Sequence, residues 1–234
     1  MKALYSLSTK ISGFDFFPWL VMQAQAGATE IVFDKANPHT GKWPRDVVLR
    51  RFESILWPGP LLLGLKCSIG TYGSQLAPYH QADLVRLSRA GVVFPKLKTV
   101  LPPGRERYTV TLRKTQRIEC RNSNEADWRI FAAEIGAYVI EDYDVKPISL
   151  YERMALYAGA EMNFFVTNGP ALLCELSPYP SMSFDNQKST LCHVGVPFGE
   201  KYPFMQDNQH MIYEPDDLPV IRKHFEEWRA KNHR

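Results

Sequence analysis

Thr167-Asn168-Gly169-Pro170-Ala171 separates an apolar run, Met162 to Val166, from Leu172-Leu173-Cys174. These residue types suit one of two jobs. Pro170 fits the first position of a helix and Gly169 lets a ligand approach the backbone, so the N–H groups of Ala171, Leu172 and Leu173 would face an anion. The same residues also make a plain strand-to-helix turn. A second chemical pair, Glu141-Asp142, ends the run AYVIED, where carboxylates can accept from ribose hydroxyls or cap the next loop. Cys192 and His193 are adjacent, and neighbours on a strand point to opposite faces, so they are not a nucleophile and its base. His193 and His210 belong to a loop-rich region around VPFGEKYPFMQDNQH and read as structural.

The elements that must position these groups are clearest after Leu101-Pro102-Pro103-Gly104, which continues neither a helix nor a central strand and divides the chain into halves 1–103 and 104–234. Residues 108–112 are β-branched and aromatic, a strand ending at Arg113. In NSNEADWRIFAAEIG, Trp128, Phe131, Ala132 and Ile135 share a helical face, with Asn122, Ser123 or Asn124 as N-cap and Gly136 as stop. After the strand AYVIED, residues 148–159 form a helix with Leu150, Met154 and Tyr157 on one face and a Ser149/Glu152 capping box. EMNFFVTN is a strand, a short helix follows Gly169-Pro170, SMSFD is a strand, and EPDDLPVIRKHFEEWRAK is a closing helix. Strands alternating with helices through short connections imply a parallel sheet. Apolar strands without alternation agree, because such a sheet is covered on both faces. In the first half, ALYSLS and EIVFD are strands, and residues 15–26, RDVVLRRFESIL and HQADLVRLSRA are helical. The stretch from Trp57 to Tyr79 reads as loop with one short strand. The expected fold is therefore α/β, two Rossmann-like parallel-sheet halves with the second the more legible. In such sheets ligands bind outside the carboxyl ends of the strands, which selects the loops after Leu112, Asp142 and Thr167.

Composition narrows the function. A 234-residue chain with 45% apolar and 12% aromatic residues can bury a substantial core. There is no apolar run of about 18 residues and no signal-like leader, so a cytoplasmic protein without a membrane span is expected. Cys67, Cys120, Cys174 and Cys192 are scattered and form no C-x-x-C pair, which argues against a zinc knuckle or a disulfide framework. With 28 basic against 25 acidic residues the net charge is only +3, too balanced for general nucleic-acid binding. Basic residues do gather at 96, 98, 105, 107, 113, 114 and 117, either a solvated linker or a local anion site. No G-x-G-x-x-G turn follows a leading strand, which argues against a dinucleotide-dependent oxidoreductase or a methyltransferase.

One family shares several of these features. Ser149, Glu152, Leu156 and Gly159-Ala160, then Thr167-Asn168-Gly169-Pro170, then Pro180, resemble the nucleotide-sugar half of GT-B glycosyltransferases, most of all the heptosyltransferase-type family. That family has Asp-Thr-Gly-Pro where this chain has Asn168 before Gly169-Pro170. Its opening Gly-Asp loop is similar to Ser12-Gly13-Phe14-Asp15-Phe16-Phe17-Pro18, with Phe14 inserted. The resemblance covers about 100 residues and implies a compact GT-B-like enzyme with a trimmed acceptor-side first half. It implies transfer of a sugar from a nucleotide-sugar donor to a hydroxyl acceptor such as a glycan, inverting, with no cofactor beyond that co-substrate and no essential metal. Arg113 would clamp the donor diphosphate, with Lys114 and Arg121 as further cations, Glu141 and Asn168 through Ala171 as other donor contacts, and Asp15 as the base. Asp15 is equally placed to cap the helix that follows. The alternative function is a non-catalytic nucleotide- or glycan-binding module that keeps the same core.

Overall fold

The apolar runs become strands, and every strand pair is parallel. The structure, a computed structural model, describes residues 1–5, 13–34, 45–71, 81–114, 119–142, 148–185 and 195–232. Ser12, Arg117, Cys192 and His193 lie outside the described residues, as do the end of ALYSLS and the start of HQADLVRLSRA. In the first half, β1 (Lys2–Tyr5), β2 (Glu30–Asp34) and β3 (Lys66–Gly70) form a sheet in the order β1-β2-β3. Leu4 lies opposite Val32, and Val32 opposite Ser68. α1 (Phe16–Gln25) is buried continuously from Phe16 to Gln23, as a helix enclosed on all sides must be. Its Pro18 sits in the first turn, where a missing N–H breaks no helical bond. α2 (Arg45–Arg51) runs into a π-helical turn, Phe52–Leu56, and α3 (Gln81–Arg89) follows β3.

The second half is the larger sheet. β4 (Tyr108–Arg113), β5 (Tyr138–Asp142), β6 (Met162–Val166), β7 (Ser181–Phe184) and β8 (Gln209–Ile212) stand in the order β5-β4-β6-β7-β8. Both sheets are therefore the Rossmann-like parallel layers that the sequence implies. The chain steps one way from β4 to β5 and the other way from β6 onward, so the strand order reverses between β4 and β6. α4 (Glu125–Ile135) ends at Gly136, whose φ of 65° is the left-handed conformation that closes a helix. α5 (Leu150–Gly159) begins with the capping box: Ser149 Oγ accepts from the Glu152 N–H at 3.2 Å, and the Ser149 N–H donates to Glu152 at 3.2 Å. α6 is a single short turn, Ala171–Glu175, and α7 spans Leu218–Asn232. β8 is a strand that the reading of its region as loop-rich did not name. QHMI has little intrinsic strand character and becomes one by pairing with β7, His210 opposite Met182.

The two faces of the larger sheet have different partners. Under α4 and α7, Trp128, Phe131, Phe164, Phe184 and Phe225 build one apolar cluster. On the other face, Phe165, Met154, Tyr157, Leu173 and Leu176 join Phe17, Leu20, Ile31 and Leu62 of the first half in a single core. The connecting segment stitches this interface: the Leu97 N–H donates to Leu176 and the Lys98 N–H to Leu62, each at 2.9 Å. Beyond Pro-Pro, the Gly104 N–H donates to the Ala155 carbonyl at 2.7 Å, and a Cβ on Gly159 would overlap the Gly104 backbone. Two glycines thus let linker and helix meet backbone to backbone.

Candidate functional site

Segments that follow strands of the two sheets meet. After β1 the chain turns through Gly13–Asp15, and after β6 it turns through Thr167–Pro170. These turns touch: a Cβ on Gly169 would stand 2.7 Å from Cδ2 of Phe14. A second bridge forms at the start of α5, where the Tyr151 hydroxyl donates to the Pro58 carbonyl at 3.2 Å. The meeting places Asp15, one residue from Phe14, close to the strand-order reversal. Crevices at such reversals are where open parallel sheets bind ligands.

The β4 side of the strand-order reversal carries Arg113 and Arg121. The half-buried Arg113 ends β4 and donates through Nη1 to Asn122 Oδ1 at 3.2 Å. Its backbone N–H donates to Ser123 Oγ at 2.8 Å, so Asn122 and Ser123 fold the loop back, and Asn124 takes the position before α4. Arg121 reaches across to β6, donating through Nη2 to the Thr167 carbonyl at 3.0 Å. Arg113 and Arg121 therefore converge on the reversal, one from each end of the loop. Lys114 does not join them: it is exposed and pairs with Glu125 of α4 at 3.3 Å. Glu141 is also drawn away, paired with Arg129 of α4 on the edge strand.

The β6 side is closed by its own bonds. Asn168 Oδ1 accepts from the Ala171 N–H at 3.0 Å, the Leu172 N–H donates to the Gly169 carbonyl and the Leu173 N–H to the Pro170 carbonyl, each at 3.1 Å. The three N–H groups that the sequence reading aims at an anion are thus engaged within the turn. Pro170 and Ala171 are buried, and Gly169 serves the close approach of Phe14. Asn168 is 8% exposed, and its Nδ2 has no hydrogen-bond partner among the described residues. That amide is the polar group this turn leaves over.

Asp15 stands immediately before α1, exposed, and makes no side-chain capping bond to it. Its negative charge is felt by Tyr5, whose hydroxyl is pushed up to about 12 by burial first and by Asp15 second. Three side chains escaped the sequence reading. Arg153 is 2% exposed and donates to the Tyr157 hydroxyl at 3.1 Å, which lies 2.9 Å from Thr111 Oγ1. Burial pushes Tyr157 up to about 12. The signal was a charge beside Met154 and four residues before Tyr157, on the stripe that packs inward. Glu175 and Asp185, the other two, are buried carboxyls, one ending α6 and one just after β7. Burial lowers the pKa of His210, with Lys201 and Lys231 adding to the effect. Among the described residues no three His, Cys, Asp or Glu side chains gather to hold a metal ion, and no helix is long and apolar enough to cross a membrane.

Fold and turns together define a parallel α/β protein of two sheets, with Arg113 and Arg121 beside the strand-order reversal and Asp15 next to Phe14, which meets Gly169. No protein-family model matches the chain, and neither a curated protein nor a solved structure matches it.

Proposed function

We propose that the protein is a glycosyltransferase that moves a sugar from a nucleotide-sugar donor to a hydroxyl acceptor such as a glycan. The observation that carries this reading is the contact of Phe14 with Gly169, which brings the carboxyl ends of both sheets to one crevice. In the proposed mechanism Arg113 and Arg121 bind the donor diphosphate and stabilise the charge that grows on it as the glycosidic bond breaks. Asp15 takes the proton of the acceptor hydroxyl as that oxygen attacks the anomeric carbon, giving inversion. Asn168 Nδ2 supplies a further donor at the same crevice. A donor diphosphate would lie against side chains rather than against the start of α6, because that turn already uses its N–H groups.

This last observation also favours a second reading, a non-catalytic nucleotide- or glycan-binding module. The two separate in one experiment: thermal shift against nucleoside diphosphates and nucleotide sugars, followed by donor hydrolysis, on the wild type and on Arg113→Ala and Asp15→Asn. A ligand at 100 times its Kd stabilises by about 2.7 kcal/mol, readily measured. The enzyme reading expects a base-selective shift lost in Arg113→Ala and turnover lost in Asp15→Asn. A shift without turnover supports a nucleotide-binding module, and no shift with any nucleotide contradicts the glycosyltransferase reading and leaves only a glycan-binding module.

A further inference from the structure

The starts of α4 and α7 are capped by each other. Asn124 stands before α4 but makes no side-chain capping bond to it. Its backbone N–H donates instead to Asp216 Oδ2 at 2.8 Å, and the same oxygen accepts from Trp128 Nε1, also at 2.8 Å. Asp127, in the first turn of α4, completes the exchange: its Oδ2 accepts from the Leu218 N–H that opens α7 and from Asn124 Nδ2, each at 2.9 Å. Asp216 is 5% exposed and Trp128 1%, so both bonds to Asp216 are shielded from water. A buried indole N–H needs an acceptor, and the first N–H groups of a helix have none within it. One carboxyl, 92 positions after Asn124 and 88 after Trp128, supplies both.

This cap holds the end of the segment that begins at Arg113 and contains Arg121. Asn124 follows Ser123, which is bonded twice to Arg113: its Oγ accepts from the Arg113 N–H at 2.8 Å, and its own N–H donates to the Arg113 carbonyl at 3.0 Å. Asn122 accepts from Arg113 Nη1, and Arg121, next to it, reaches the Thr167 carbonyl. We propose that Asp216 is a positioning residue for the anion site: by holding Asn124 it fixes where the Arg113 and Arg121 guanidinium groups stand. This role rests on reading those two arginines as the cations for the donor diphosphate, and Asp216 acts on the ligand only through them. Placement matters because a donor shifted by about 1 Å loses much of its bond.

The sign of the effect separates positioning from charge. Removing an acidic group near an anion site should, by Coulomb attraction alone, tighten anion binding. Positioning predicts the reverse. Calorimetric titration with inorganic pyrophosphate is expected to show binding about tenfold weaker in Asp216→Ala, the scale of one charge-assisted hydrogen bond. Asp216→Asn, whose amide oxygen can still accept both bonds, should bind close to the wild type. Trp128→Phe removes the indole donor and some packing but leaves the bond from Asn124 to Asp216, so it should melt lower yet bind pyrophosphate as the wild type does. Unchanged or tighter binding in Asp216→Ala would overturn the proposal, and so would an equal loss in Trp128→Phe. Hydrogen exchange of the ligand-free proteins distinguishes this role from the reading of the site. Exchange at Arg113 and at residues 122–124 is expected to be faster in Asp216→Ala than in Trp128→Phe, and equal exchange overturns the positioning. A wild type that binds no pyrophosphate, with the exchange difference present, overturns the diphosphate reading and leaves Asp216 as the residue that holds the arginines. If Asp216→Ala does not fold, Asp216→Glu, which keeps the charge but moves the acceptor by one methylene, takes its place with the same expected loss.

Discussion

The two ends of the larger sheet hold their arginines differently. At the amino ends of the strands, a cleft of about 440 Å³ lies beside Tyr108, between Phe131 of α4 and Phe225 of α7. Three arginines line it, and each has a carboxylate: Arg107 with Glu161 at 2.9 Å, Arg229 with Glu226 at 3.0 Å, and Arg222 with Glu134. At the carboxyl ends, Arg121 is held by an uncharged carbonyl and so keeps its full charge for the crevice, while Arg113 has an amide oxygen among its contacts. For an anion this difference in partners matters, because desolvating a guanidinium already matched to a carboxylate returns little.

The largest expected effect tests whether the carboxyl edge is braced as described. Gly169→Ala places a methyl 2.7 Å from Cδ2 and 2.8 Å from Cβ of Phe14. The expected cost is about 1–3 kcal/mol, measured by denaturant unfolding, as for other overpacked contacts. Adding Phe14→Ala should recover part of that loss, a coupling that a double-mutant cycle isolates. A neutral Gly169→Ala would mean that the two turns do not meet. A smaller effect separates the two openings: Arg121→Ala should weaken nucleotide binding about tenfold or more, the scale of a charge-assisted hydrogen bond. Arg229→Ala at the amino edge should leave binding unchanged. Calorimetric titration of both variants with the nucleotide that shifts the wild type reads this contrast, and the reverse pattern would move the site to the other cleft.

What the sequence carries and what it hides divides along the same physical line. β4 to β7, α4 and α5 were legible because their signals are local: apolar runs, the Ser149/Glu152 box, and a glycine at 136 that alone tolerates its conformation. β8 was not, because four residues with one β-branched side chain become a strand only against β7. The choice between an anion mouth and a tight turn at Asn168–Pro170 was also undecidable locally. What fixes it is Phe14, more than 150 positions away, together with the Asn168 side chain folding onto Ala171. The position of Arg113 was legible because a strand end is a readable place, whereas the reach of Arg121 to Thr167 was not. Arg153 and Glu175 were missed because charged residues are mostly exposed, and only tertiary packing buries them.

Hydrogen exchange of the whole chain with and without the stabilising nucleotide tests the central claim most directly. Protection is expected at Gly13–Asp15, at Arg113 and Glu119–Asn124, and at Thr167–Ala171, with Arg107 and residues 222–229 unchanged. Protection at the amino-edge cleft, with none on the facing turns, would contradict the assignment of the crevice as the binding site.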